Sequence, residues 1–315
     1  MKRRTFLRRA AIAAGAAIAK PSWSAMPDAA VPAIDTHIHL YDPTRPQGVP
    51  WPQKNETLLY QPHLPPQFRE IAAQNGVVGA IVIEASAWLE DNQWVLDLIK
   101  DDLLFVGFIG HLELGRSEFA ANLGRFVVNP LFRGLRIEAK ALADGLGKRA
   151  WEDDIRRLAD ANLTVDLLGD PAMLPNAVKL ARLAPTLRIV VDHLPFPAWD
   201  KDLEAAKTAL TSLVETANVF VKVSAVARAK EGKLIEDPAV YRPGLELLWS
   251  TLGDDRLIYG SNWPVSDLVA PYAFVHKIVA DYFATKSSAA AEMFFWRNSK
   301  NAYGWIPRGD AAKLG

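Results

Sequence analysis

The chain has 315 residues, half of them hydrophobic, with 36 basic and 36 acidic side chains and no cysteine. That is enough apolar material for one large core or two modest ones, and it excludes disulfides, thiolate nucleophiles and sulfur-ligated metals. Six basic residues and no acid fall in the first twenty positions, so the remainder holds 30 basic against 36 acidic groups, a mild negative balance with no footprint for nucleic acid.

The first segment reads as an address. It is basic, then alanine-rich, then small and polar. The uncharged run Ala10–Ala19 is shorter than the ~20 apolar residues that span a bilayer, so no stable membrane span is expected. An amphipathic surface helix is the plain alternative. Arg3-Arg4-Thr5-Phe6-Leu7 resembles a twin-arginine export motif, and Lys20 after a weak apolar run suits that route. The expectation is a signal peptide and linker over residues 1–30, cut between Ser24 and Ala30, and a mature protein that is periplasmic or secreted. That route carries folded proteins, so a cofactor can be inserted before transport.

From Val31 onward, short β-branched runs alternate with amphipathic stretches. The runs are Ala33–His39, Val78–Glu84, Phe105–His111, Arg133–Glu138, Leu163–Leu168, Arg188–Leu194, Val219–Ser224 and Arg256–Trp263. Between them, Asp91–Lys100 gathers Trp94, Val95, Leu98 and Ile99 on one helical face, and Trp151–Asn162 gathers Ile155, Leu158 and Ala159. Eight alternations predict a single-domain (β/α)₈ TIM barrel over residues 31–315. A doubly wound open sheet lacks support, because no glycine-rich phosphate loop follows the first run.

Side chains of a barrel strand alternate between the lumen and the helix layer. Assigning apolar residues outward sends Ile34, Thr36 and Ile38 to the helices and Asp35, His37 and His39 inward. The same rule puts Ile81 and Ile83 outside and Glu84 inside. It turns Arg136, Glu138, Thr164, Asp166, Val191, His193, Phe220, Lys222, Ser224, Ile258, Gly260 and Asn262 inward. Polar side chains from seven runs then meet at the carboxyl end, where this fold keeps its active sites. Buried polar groups must be paired, so so many are hard to explain as core.

Two histidines at i and i+2 on one strand can chelate one ion. With a third ending the sixth run, His37, His39 and His193 make a set suited to one divalent metal ion, Zn²⁺. The plainer alternative is that they only hydrogen-bond a substrate. His63 lies in a loop, His276 sits in a helical stretch as a structural residue, and the facing of His111 is ambiguous. The loop from Leu40 to Phe68 holds seven prolines with Tyr41, Trp51 and Tyr60. It reads as a stiff lid with Trp51 beside a small-molecule substrate.

With those residues in place the chain resembles the amidohydrolase-related metal-dependent TIM-barrel hydrolases, in the branch of the sugar lactonases and 2-pyrone-4,6-dicarboxylate lactonase. The stretches that carry the likeness are IDTHIHLYDP (34–43), VPWP (49–52), EDNQWVLDL (90–98), NPLFRGLRI (129–137), VVDHLPFP (190–197), VKVSAV (221–226), IYGSNWPV (258–265) and NAYGW (301–305). The resemblance implies hydrolysis of a C–O ester bond in a lactone. It implies metal-holding or carbonyl-polarising roles for His37, His39 and His193, and substrate contacts for Arg136, Lys222 and Trp263. The chain departs from the family pattern at Asn262, where the family carries an aspartate that activates water. Asparagine cannot take that proton. Three explanations stay open. Neutral histidines leave the charge of Zn²⁺ uncompensated, and such an ion can lower its water's pKa to ~7. Glu84 or Glu138 can serve as the base instead. Or the chain only binds a small sugar acid or carboxylate in the periplasm. Amide hydrolysis and decarboxylation are further options within the superfamily.

Overall fold

A computed structural model describes residues 31–314. The β-branched runs form parallel strands β1 (Ala33–Ile38), β2 (Val77–Ile83), β3 (Phe105–Gly110), β4 (Phe132–Glu138), β5 (Thr164–Leu168), β6 (Arg188–Leu194) and β7 (Val219–Val223). A small antiparallel hairpin follows, β8 (Ala229–Lys230) and β9 (Lys233–Leu234), and then the eighth barrel strand, β10 (Leu257–Tyr259). The barrel strands pair in chain order from β1 to β7 and then β10. The ring closes through a bridge between Ile38 and Trp263 and through hydrogen bonds from Asn262 N to His37 O (2.8 Å) and from His39 N to Trp263 O (2.8 Å). Helices lie between the strands, including Leu89–Ile99 and Arg149–Asp160 where the periodicity predicts them. The segment 1–30, with its expected export signal, lies outside the described residues.

Two apolar layers show which way each strand faces. Val82, Phe108, Leu135, Val165, Val191 and Val221 pack with the helices. Ile34, Ile81, Ile83, Val106, Val190, Phe220 and Ile258 pack with one another, and with Trp296, Tyr303 and Trp305 from the C-terminal segment. That segment closes the amino end of the barrel. Arg133 donates to Tyr303 O, Thr164 donates to Ala302 O, and Ile306 N donates to Val106 O.

The facing of β1, β2 and β6 differs from expectation. Ile34 points into the lumen and Asp35 away from it. A register shift between Asp35 and Ile38 then restores His37 to the inside. Ile81 and Ile83 line the lumen, and Val82 faces the helices. In β6 Val191 faces out and Val190 in. The simple rule fails because a lumen sealed by a C-terminal plug is itself apolar, so the lower strand positions need apolar side chains on both faces.

Candidate active site

His37 and His39 are held by the strands on either side of them. Asp35 is fully buried and accepts from His37 N at 3.0 Å, Ser261 N at 2.9 Å and the Tyr272 hydroxyl at 2.9 Å. One carboxylate therefore ties β1 to the segment after β10 and to the helix Tyr272–Phe283. Both imidazoles are buried, and their Nε2 atoms lie 3.2 Å apart. His39 Nδ1 meets the carbonyl of Ile83 at 3.1 Å.

His193 reaches the same place by a backbone device. Its φ is +62°, in the left-handed region, and the register of β6 on β7 shifts between Val191 and Leu194. Two consecutive residues, Asp192 and His193, thereby arrive at the site. The rings of His193 and His37 are 4.4 Å apart between centroids, and His193 Nδ1 lies 2.8 Å from the Ser224 hydroxyl. Asp192 is the candidate site residue that sequence reasoning missed. Its one signal was its place beside His193, and alternation assigned it outward.

Burial sets the electrostatics. It pushes His37 well below the usual imidazole range, with the Lys222 charge adding to the effect. Burial also lowers His39 to about 3 and His193 to about 4, and the nearby Arg136 charge contributes to both. All three rings are therefore neutral and offer lone pairs at neutral pH. Burial alone would raise Asp192, but the Lys222 ammonium 2.9 Å away outweighs it and holds this carboxyl well below the carboxylate range.

The donor set fits a divalent cation. Ligand atoms of His37, Asp192 and His193 lie within 4.8 Å of one another, and Asp192 Oδ2 is buried without a hydrogen-bond partner. An ionised, orphaned carboxylate oxygen beside neutral imidazoles is the arrangement a metal satisfies. Asp192 thus joins two of the three expected histidines, His37 and His193, as candidate ligands, while His39 lies beside them with its Nε2 3.2 Å from His37 Nε2.

The other expected site residues divide. Glu84 and Arg136 meet at the rim, where Glu84 Oε1 takes Nε and Nη2 of the guanidinium, each at 2.8 Å. From Arg136 a cleft of about 530 Å³ opens between the His111–Arg116 stretch and Trp151. Trp51 is half-buried with its ring 5.8 Å from that of His39, where a substrate neighbour was expected. Asn262 is buried with φ +64°. Among the described residues its amide makes no hydrogen bond, while its backbone N–H donates to His37 O.

Three placements correct the expectations. Lys222 was expected to contact substrate but is 0 % exposed, and Asp166 Oδ2 (2.8 Å) and Asp192 Oδ1 (2.9 Å) flank its ammonium. Trp263, expected to join Trp51, is buried with its ring against His63 and Phe68. Glu138, expected inside, is exposed at the start of the helix Ala139–Gly145 on the cleft wall, because β4 ends there and its neighbour Ile137 fills the core. Of the remaining histidines, His111 lines the cleft that opens from Arg136, and the other two stay apart. His276 is buried among Tyr259, Tyr272 and Phe295, and His63 packs on Tyr41. A cavity of about 690 Å³ near Val31 and Ser287 lies away from the histidines.

Known proteins resemble this chain in sequence or in fold. The chain is 29 % identical to an L-fucono-1,5-lactonase of Burkholderia ambifaria over 246 residues, covering 76 % of this chain and 82 % of that protein. Its fold is similar to that of an amidohydrolase from Burkholderia multivorans with bound zinc, with TM-score 0.79 and 21 % identity, covering 87 % of this chain and 100 % of that one. A probable 2-pyrone-4,6-dicarboxylic acid hydrolase of Acinetobacter baumannii with citric acid bound is similar at TM-score 0.64 and 16 % identity, covering 86 % and 99 %. The amidohydrolase family profile matches residues 34–305, from the strand that carries the paired histidines to the plug that seals the barrel, and the chain belongs to that family.

Proposed function

We propose that the chain hydrolyses the C–O ester bond of a lactone. The observation that carries this reading is the convergence of three neutral imidazoles and the ionised Asp192 beside the Glu84–Arg136 pair at the barrel mouth. The sugar-lactonase relative supports the substrate class. Asp192, which a reading of Asn262 alone overlooks, supports an enzyme over a pure binding protein.

The residues divide the work. His37, His193 and Asp192 would hold one divalent ion, with His39 beside them and zinc the proposed metal. Such an ion supplies Lewis acidity to an ester carbonyl. Arg136 stands beside His39 and His193 and steadies negative charge that develops on the substrate oxygen. Glu84 commits Oε1 to Arg136 and has Oε2 left to accept a proton or a sugar hydroxyl. Trp51 supplies an apolar wall. The Glu84–Arg136 pair is neutral as a unit, which favours an uncharged, hydroxyl-bearing lactone over a carboxylated one.

The test is a panel of sugar lactones and carboxylated pyrones, run with metal analysis of protein purified without chelators. Hydrolysis of a sugar lactone, with about one ion per chain, is expected. Turnover of amides alone, or of nothing on the panel, would overturn the reading. We also propose export by the twin-arginine route, from Arg3-Arg4 and Phe6-Leu7. Changing Arg3 and Arg4 together to lysine should keep the precursor in the cytoplasm, and normal export of that variant would refute the route.

A further inference from the structure

The loop 42–62 carries Trp51, whose ring centre stands 5.8 Å from that of His39 and 5.3 Å from that of Tyr41. Its base is closed by Tyr41 and His63, whose backbones exchange hydrogen bonds of 3.0 and 2.9 Å, and by the Tyr41 hydroxyl on Leu59 O. Beyond that base the loop is bonded almost wholly to itself. Among the described residues, positions 42–58 make a single hydrogen bond to anything outside it. Arg45 makes that bond, Nη2 donating to Asp91 Oδ1 at 2.6 Å, on the helix Leu89–Ile99.

The contact is built as a latch. The Arg45 and Asp91 side chains are only 12 % and 8 % exposed, so this is a sheltered pair, and removing either partner leaves a charge without its counterpart. The guanidinium also lies over the Trp94 ring, 4.4 Å from its centre. The helix beneath is itself fixed to the barrel. Asn92 accepts from His111 N and donates to His111 O, each at 2.9 Å, at the end of β3. On the loop side, Gly48 N donates to Arg45 O at 2.8 Å, and Pro46 and Pro50 stand between Arg45 and Trp51. Each proline fixes a backbone angle, so the stretch transmits the position of Arg45 to Trp51. Arg45, Val49, Asp91 and Trp94 line one narrow gap with Glu84, which puts the latch against the back of the Glu84–Arg136 pair.

We propose that Arg45 is a positioning residue: clamped between Asp91 and Trp94, it latches the loop 42–62 to the helix Leu89–Ile99 and so holds Trp51 as a wall beside His39. The role in catalysis rests on the lactonase reading, in which Trp51 borders the substrate. Without the latch the loop keeps its base at Tyr41 and His63, but Trp51 loses its fixed place.

The test follows Trp51 directly, by fluorine-19 NMR of protein labelled with 5-fluorotryptophan. The Trp51 signal is identified by its loss in Trp51→Phe. Arg45→Met should shift that signal towards the position of solvent-exposed 5-fluorotryptophan. On the preferred lactone Arg45→Met should raise KM by about tenfold and keep kcat within about threefold, because a wall contributes to substrate and transition state alike. In a Trp51→Ala background the same change should alter KM by less than about twofold, because Arg45 acts through Trp51. An unmoved Trp51 signal in Arg45→Met would overturn the proposal. So would a KM penalty of equal size with and without Trp51, which marks a merely structural role. Should Arg45→Met not fold, Asp91→Ala removes the same contact from the helix side and is judged by the same readouts. Only the kinetic arm depends on lactone turnover, so a protein inert towards every lactone would sink that reading and leave the fluorine test standing.

Discussion

A single oxygen, Oε1 of Glu84, takes both guanidinium contacts of Arg136, so these two side chains act as one unit at the rim. Glu84→Gln removes the charge that balances Arg136 beside His39 and His193, and it removes a proton acceptor. It should lower kcat/KM on the preferred lactone by ~10²-fold or more. Glu138 is exposed and makes no ion pair among the described residues, so Glu138→Gln should leave kcat/KM unchanged. A larger loss in Glu138→Gln would show that the chemistry lies farther out in the cleft. Asn262 calls for a different argument. Its φ of +64° is a conformation that asparagine and aspartate tolerate better than most residues, so Asn262→Asp should fold normally. The new carboxylate would add negative charge next to the strand of His37, to which Asn262 N is bonded, at the end of the barrel where negative charge must also develop on the substrate. Activity should fall by about tenfold, the effect of roughly 1.4 kcal/mol on the barrier. A large gain over a silent wild type would instead mark the natural chain as a disabled hydrolase.

At the scale of elements, the site depends on two irregular strand ends. The shift in β1 and the left-handed turn of β6 each bring an extra polar residue to bear. Asp35 is the tie that makes the first of these stable, with three donors on one buried carboxylate. Asp35→Asn places an NH₂ among those donors, so at least one loses its partner. The expected cost is about 1–3 kcal/mol for a buried group left unsatisfied. Urea unfolding should show a lower midpoint with an unchanged slope. An Asn variant as stable as wild type would mean that the tie carries no load. Strand order and helix positions were legible from periodicity alone, because each amphipathic stretch has one apolar face. The bulges were not legible. Asp192 sits between two apolar residues and a histidine in VVDHL, and nothing local shows that the chain will turn left-handed at the next residue.

For the whole molecule, buried neutral histidines couple stability to pH. His276 is held to about 4 by burial among aromatic rings, and His39 and His193 are lowered to about 3 and about 4. Their folded values lie below the ordinary 6.5. The unfolded chain therefore binds more protons between those values, and stability is lost as pH falls from about 6.5 towards 4. Asp166 is raised to about 7, chiefly by burial, and contributes the opposite slope, losing its stabilising effect as pH rises through 7. Asp35, Asp154 and Asp267 are likewise raised by burial, but the lowered His37, His39, His63, His193 and His276, together with the lowered Asp192, outnumber these four carboxylates, so the net effect on the acid side is destabilising. Thermal melts should show Tm falling across that window. His276→Gln lies outside the site and should flatten the fall, by on the order of 3 kcal/mol at most between pH 6.5 and 4. An identical Tm profile for that variant would show that His276 is already protonated in the folded protein.

Sequence alone determined the barrel, its closure order, and the gathering of His37, His39, His193, Glu84 and Arg136 at one end. These follow from local periods of apolar residues, and strand–helix alternation leaves few ways to connect parallel strands. Tertiary structure decided which polar residues work as a group. It buried Lys222 and Trp263, moved Glu138 to the surface, and brought Asp192 beside His37 and His193. The physical reason is that pairing is non-local. Lys222 is silenced by Asp166, 56 residues away in sequence, and Asp35 accepts from Ser261, 226 residues away. A strand's period says which face a side chain takes, but only the packed barrel says what is waiting for it there.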